Sequence, residues 1–143
     1  MSVLLAQTDT TVGFLSNDAK SLEKLKSRPP KKQFLKVYPS FKEFKKNGNR
    51  VPQKYKNLVR RAEKTTFIIK GRASRIVKDP LHLKLLKKYS WLYSTSANKS
   101  GYGFDKEFCI TKSDIIIEDH RGLKEETPSS LYRLNNVKSR RLR

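Results

Sequence analysis

The chain has 143 residues, with 33 Lys and Arg against 13 Asp and Glu, giving a net charge of +20. Hydrophobic residues make up 36%, enough for one domain with a core, but no run of about 20 apolar residues offers a membrane span. The single cysteine, Cys109, excludes an internal disulfide and argues against a cysteine-based metal site. The start, MSVLLAQTD, lacks the basic region and long apolar run of a secretion signal, so the expected location is the cytoplasm. Charge is uneven: residues 20–88 carry 23 basic and 4 acidic side chains. So basic a middle stretch favours polyanions or phosphorylated small molecules, or forms a solvated face.

In chain order, the apolar run Val3–Ala6 predicts a buried strand. TDTTVG, Thr8–Gly13, reads as a polar turn at its end. Leu22 and Leu25 mark a helix over Ser16–Lys26, capped by Ser16 or Asn17 and stopped at Arg28-Pro29-Pro30. Phe34–Tyr38 reads as a strand. Ser40 and Glu43 form a capping-box pattern for a short helix ending near Lys46, followed by an NGN turn. Pro52 suits the first turn of a helix reaching about Ala62, with Tyr55, Leu58, Val59 and Ala62 on one face. Thr65–Ile69 is β-branched or aromatic throughout, the strongest strand signal. Lys70-Gly71 turns it into a returning strand, Ser74–Val77. Pro80 opens a leucine-rich helix to Lys88, and Trp91–Tyr93, Ile115–Glu118 and Leu131–Leu134 read as strands. Alternating elements predict an α/β architecture with a mixed sheet over residues 1–137. The basic tail, residues 138–143, is expected to fray. His82 and His120 lie far apart and read as surface or half-buried side chains.

Two polar clusters follow predicted strands: TDTTVG, and STSANKSG at Ser94–Gly101. In open α/β sheets ligands bind beyond strand ends, and short hydroxyls with backbone N–H groups there can surround phosphate or carboxylate oxygens. Such turns are also common as plain loops. There is no Walker loop and no GxGxxG. Lys26-Ser27-Arg28 sets two cations before two prolines, a stiff pair suited to a triphosphate or simply part of the basic surface.

The order of these pieces resembles the threonylcarbamoyl-AMP synthase family, the YrdC-like proteins. The resemblance rests on Thr8-Asp9-Thr10-Thr11-Val12-Gly13, Lys26-Ser27-Arg28-Pro29, Thr66-Phe67-Ile68-Ile69, Arg75-Ile76-Val77, Ser94-Thr95-Ser96-Ala97-Asn98-Lys99-Ser100-Gly101 and Pro128-Ser129-Ser130. It covers about residues 4–134. It implies a single-domain YrdC-like fold, a twisted open mixed sheet flanked by helices. It implies condensation of L-threonine, bicarbonate and ATP to threonylcarbamoyl-AMP and pyrophosphate, for modification of tRNA at adenosine 37. By resemblance, Lys26, Arg28, Thr66, Ser94, Ser96 and Asn98 meet ATP, while Thr8, Arg75 and Ser129 meet threonine. Magnesium would arrive with the triphosphate, with no protein ligand set specified, and no side chain acts as nucleophile. tRNA threonylcarbamoyl-transferase proteins are the implied downstream partners.

The chain departs from the family pattern at several places. It is shorter than usual members, Gln7 stands where proline precedes TDT, and Val77 replaces the proline of the RxP element. Glu63-Lys64-Thr65 stands for Pro-Gly-Pro, and a histidine after KxRP has no counterpart. These departures keep a second reading open: a degenerate, non-catalytic relative that binds a nucleotide. The net charge supports another, an RNA-binding module holding tRNA or double-stranded RNA on a basic concave face.

Overall fold

The computed structural model describes residues 2–27 and 33–143. Its elements are β1 (Leu4–Gln7), β2 (Val12–Ser16), α1 (Ala19–Lys26), β3 (Leu35–Tyr38), α2 (Phe41–Lys46), a 3-10 turn at Gln53–Tyr55 and α3 (Lys56–Arg61). Then come β4 (Thr65–Ile69), β5 (Arg72–Ile76), α4 (Pro80–Leu86), β6 (Leu92–Ser96), α5 (Lys106–Lys112), β7 (Ile115–Ile117), β8 (Ser130–Leu134) and β9 (Ser139–Arg141). The strands form one sheet in the order β7-β1-β2-β6-β3-β5-β4-β8-β9. The β1–β7, β3–β5 and β4–β8 pairs are parallel and the rest antiparallel, so the sheet is mixed.

Side chains alternate across this sheet. On one face Leu4, Ala6, Leu15, Val37 and Leu92 pack with Leu86 of α4. On the other, Leu5, Val12 and Phe14 pack with Leu22 of α1 and Cys109 of α5. Further along that second face, Tyr38, Phe67, Ile69 and Ile76 pack with Phe44 of α2 and Val59 of α3. The two clusters on the second face leave a gap between them, lined by Lys36 between Phe34 and Tyr38.

Helix starts follow capping chemistry. Ser40 Oγ accepts the Glu43 amide at 3.1 Å, as the capping box predicts. Asp79 caps α4, accepting the His82 amide at 2.9 Å, with Pro80 at its first position. The first helix starts later than expected: Asp18, not Ser16 or Asn17, caps α1. Ser16 is instead the last residue of β2, its hydroxyl bonded to Ser2 O at 3.0 Å. The Arg28-Pro29-Pro30 stop lies outside the described residues. Leu58, expected on the buried face of α3, is 43% exposed. A short 3-10 turn precedes α3, and Val59 takes the core position with Tyr55 and Ala62 packed beside it. The segment expected to fray contributes β9, whose Arg140 pairs with Arg133 of β8. Among the described residues no helix is long and apolar enough to cross a membrane.

Candidate functional site

The α4-bearing face of the sheet opens, further along the same strands, into a cavity of about 390 Å³. Thr8, Thr66, Arg75, Ser94, Ser96 and Ser129 all line it. Thr8 and Ser129, 121 positions apart in sequence, thus meet around one space, because β2, β6, β3, β5, β4 and β8 lie side by side.

The TDTT turn is self-braced. Thr8 Oγ1 donates to Thr11 O at 2.6 Å and accepts the Thr10 amide at 3.1 Å. Thr11 Oγ1 accepts the Glu126 amide at 3.0 Å, which ties the turn to the segment leading into β8. Gly13 sits where β2 passes Thr8. A Cβ there would lie 3.0 Å from Thr8 Cγ2 and 3.2 Å from Thr95 O. Gly13→Ala should therefore displace Thr8 and lower stability by about 1–3 kcal/mol, the usual penalty of overpacking. Urea unfolding checks this. An unchanged midpoint would mean that Thr8 yields without strain.

Arg75 is 3% exposed and its guanidinium is shared out. Nε and Nη2 both donate to Asp9 Oδ1, at 3.1 and 3.0 Å, while Nη1 reaches Thr66 Oγ1 at 3.4 Å. Burial pushes the Arg75 guanidinium below its ordinary range, and Asp9 counters it. Burial alone would raise the Asp9 carboxyl. The His82 contact and the Arg75 charge outweigh that and hold it below the usual carboxylate range. His82 is 1% exposed, not at the surface as expected, because α4 turns it inward against the TDTT turn. Its Nδ1 lies 3.3 Å from the Asp9 amide nitrogen and 3.5 Å from Asp9 Oδ1. Asp9 Oδ2 and His82 Nε2 find no partner among the described residues. The sequence offered Asp9 only as part of a motif. Its pairing with Arg75 and His82 spans 66 and 73 positions, beyond any local signal.

Thr66 and Ser129 share a hydrogen bond of 2.8 Å across the parallel β4–β8 pair. Arg143, beyond β9, adds a second guanidinium: its Nε donates to Ser129 O at 2.8 Å and Nη2 to Ser129 Oγ at 3.1 Å. Arg143 lines the same cavity, where these two Ser129 oxygens, both neutral, accept from it. A frayed-tail reading hid this residue. The signal that could have found it is the strand-like return of residues 139–143 after the Asn135-Asn136 turn.

Lys26 and Asn98 do not line this cavity; they build the loop at its edge. Lys26 Nζ, on the last turn of α1, donates to Ser96 O at 3.0 Å, Asn98 O at 2.8 Å and Asn98 Oδ1 at 3.0 Å. The Asn98 amide nitrogen donates to Lys99 O and Tyr102 O, and Ser96 Oγ to Asn98 Oδ1. Ser100 Oγ reaches back to Lys26 O at 2.7 Å. Arg28 lies outside the described residues. Three residues of the STSANKSG stretch, Ser94–Ser96, end β6, and the other five form a loop held in place by one buried ammonium.

Among the described residues no group of three or more His, Cys, Asp or Glu could hold a metal. The cavity instead offers hydroxyls, backbone amides and two guanidiniums, a donor set for carboxylate and phosphate oxygens.

No family model matches the chain. The Uncharacterized protein MG259 homolog of Mycoplasma pneumoniae is 32% identical over 140 residues, spanning 90% of this chain and 29% of that protein. The chain thus covers under a third of that relative. A solved structure of a Sua5 double variant from P. abyssi superposes with a TM-score of 0.83 at 21% identity, over 99% of this chain and 52% of that one. P. abyssi Sua5 complexed with L-threonine gives 0.79 at 20%, over 99% and 50%. E. coli YciO gives 0.80 at 17%, over 99% and 82%. Nearly the whole described backbone follows these structures while the sequence has drifted far from them: the chain has the YrdC-like fold.

Proposed function

We propose that the chain makes threonylcarbamoyl-AMP from L-threonine, bicarbonate or CO2, and ATP, releasing pyrophosphate. One observation carries this reading: Thr8, Thr66, Arg75, Ser94, Ser96 and Ser129 line one cavity with a second guanidinium, Arg143, among them. Among the similar solved structures is P. abyssi Sua5 complexed with L-threonine. The chemistry needs no protein nucleophile. Threonine's amine adds to CO2 to give a carbamate, whose oxygen attacks the α-phosphorus, and pyrophosphate leaves. The protein has to orient the three reactants and offset charge.

Arg75 Nη1 and the Arg143 guanidinium would face the threonine carboxylate, with Thr8 and Ser129 fixing its orientation. Ser94, Ser96 and Thr66 would accept or donate to the adenylate. Arg28 would meet the triphosphate, and magnesium would enter bound to that triphosphate and its waters. The product would pass to tRNA threonylcarbamoyl-transferase proteins.

A second reading, a nucleotide-binding relative without turnover, is favoured by Lys26, whose ammonium already meets three oxygens of its own loop. Pyrophosphate release separates the two. The synthase reading expects release from ATP only when threonine and bicarbonate are both present. No release from a chain that still binds ATP would favour the second reading, and threonine-independent release would contradict both.

A further inference from the structure

The gap between the two core clusters of the second face is a cavity of about 320 Å³, with α1 on one side and the end of α2 on the other. Its size is at the small end of ligand pockets, which run from about 300 to 1,000 Å³. Strand register builds its floor. Lys36 of β3 pairs with Ser74 of β5 and Tyr93 of β6, and all three line the cavity. Phe34 and Tyr38, two residues to either side of Lys36, are both buried. The alternation of a strand therefore calls for an apolar side chain at 36, which would join the two clusters. A lysine stands there instead. The cavity meets the one described above around Gln33 and Ala73, which line both.

The charges in this cavity are left unmatched. Burial and then the Arg72 charge push the Lys36 ammonium below the ordinary lysine range. Its Nζ lies over the rings of Trp91 and Tyr93, at 4.3 and 5.3 Å, which replaces only part of its hydration. The one acid lining the cavity is Glu23, half-buried on α1. Among the described residues none of Lys36, Arg72 and Glu23 makes an ion pair. Two cations and one carboxylate thus share a cavity without meeting, and charges drawn out of water are costly until they are paired. A guest with an anionic group for Lys36 and Arg72 and a cationic group for Glu23 would satisfy both. Between them the wall is apolar and aromatic: Ala19, Phe34 and Tyr93, the last packed edge-on to Trp91. Such a wall takes a ring.

We propose that this cavity binds a free aromatic amino acid. The carboxylate meets Lys36 and Arg72, the ammonium meets Glu23, and the ring lies against Phe34 and Tyr93. The inference rests on the helix-bearing face of the sheet and not on the reading given to the other cavity.

The test is calorimetric titration of the full chain with L-phenylalanine, with phenethylamine, which lacks the carboxylate, and with hydrocinnamate, which lacks the ammonium. Fluorescence of Trp91, the chain's one tryptophan, reports the place of binding, because Lys36 lies over its ring. L-Phenylalanine should bind and change that fluorescence, and each truncated analogue should bind at least about tenfold more weakly. Lys36→Met keeps the length of the side chain. It should weaken L-phenylalanine at least about tenfold and leave phenethylamine unchanged. Glu23→Gln should weaken L-phenylalanine similarly and leave hydrocinnamate unchanged. A lysine with a purely structural role would produce neither pattern. L-Threonine in excess should not displace L-phenylalanine; displacement would place the ligand in the other cavity and overturn the proposal. So would the absence of binding by the folded parent chain at about 10 mM L-phenylalanine, enough to fill a millimolar site, or an analogue that binds as tightly as the amino acid.

Discussion

Asp9→Ala is expected to destabilise the chain by about 3–5 kcal/mol, measured by urea unfolding. The reason is charge, not contact area. Asp9 is 6% exposed and Arg75 3% exposed, and the two hydrogen bonds of their ion pair meet at one carboxylate oxygen. Removing the carboxylate leaves a guanidinium in a poorly solvated place whose remaining side-chain acceptor among the described residues is Thr66 Oγ1. Small domains hold about 5–15 kcal/mol in all, so this variant should lie near the edge of folding. Replacing both partners, Asp9→Ala with Arg75→Met, should recover much of the loss, because no buried charge remains. If the double variant were as unstable as the sum of the singles, the pair would be acting through packing instead. The pH dependence follows in sign. The Asp9 carboxyl is held below its ordinary value, so its stabilisation is present above about pH 4 and is lost as pH falls through the lowered folded-state value.

Lys26→Ala should have the second largest effect, and on two quantities at once. Its ammonium is 7% exposed and supplies three charge-assisted hydrogen bonds to the 96–98 loop. Each such bond is worth roughly 1.5–3 kcal/mol, and the three are not additive. A fall of about 2–4 kcal/mol is expected, with faster amide exchange in residues 96–102. ATP affinity should fall about tenfold or more, because Ser94 and Ser96 lose their fixed edge. Lys26→Arg should not restore it: a planar fork cannot reach three acceptors set around one nitrogen. Weakened ATP binding with unchanged exchange in residues 96–102 would instead place Lys26 directly on the phosphates.

Much of this arrangement was legible in the sequence, and the limits have physical causes. Thr65–Ile69 reads as a strand because every residue favours the pleated form, and the structure has β4 over the same residues. The Ser40–Glu43 box and Pro80 mark helix starts through local hydrogen bonds, so they too could be read. The second strand, VGFLS, was hidden: it opens with a valine and a glycine after four polar residues, and its pairing with β1 and β6 is what makes it a strand. The fifth helix is seven residues long and buries only Cys109, too little for a visible periodicity. The last strand, SRR, is exposed throughout and gains its form from β8.

The same division holds at the site. Thr8, Thr66, Ser94, Ser96, Arg75 and Ser129 were named from motif order, and they meet in one cavity. Lys26 and Asn98 were named with them, but they brace the rim, because their side chains satisfy one another before any ligand arrives. His82 and Arg143 were missed. Their roles depend on a helix face and a strand pairing that only the folded chain brings into contact with Asp9 and Ser129.

The most direct test of the central claim is to incubate the chain with ATP, magnesium, L-threonine and labelled bicarbonate, and to follow label into threonylcarbamoyl-AMP. The account predicts labelled product that needs all three substrates, matches pyrophosphate in amount, and falls at least about tenfold in Arg143→Ala. Absence of labelled product from a folded chain that still binds ATP and threonine would contradict it, and would leave the cavity a binding site without turnover.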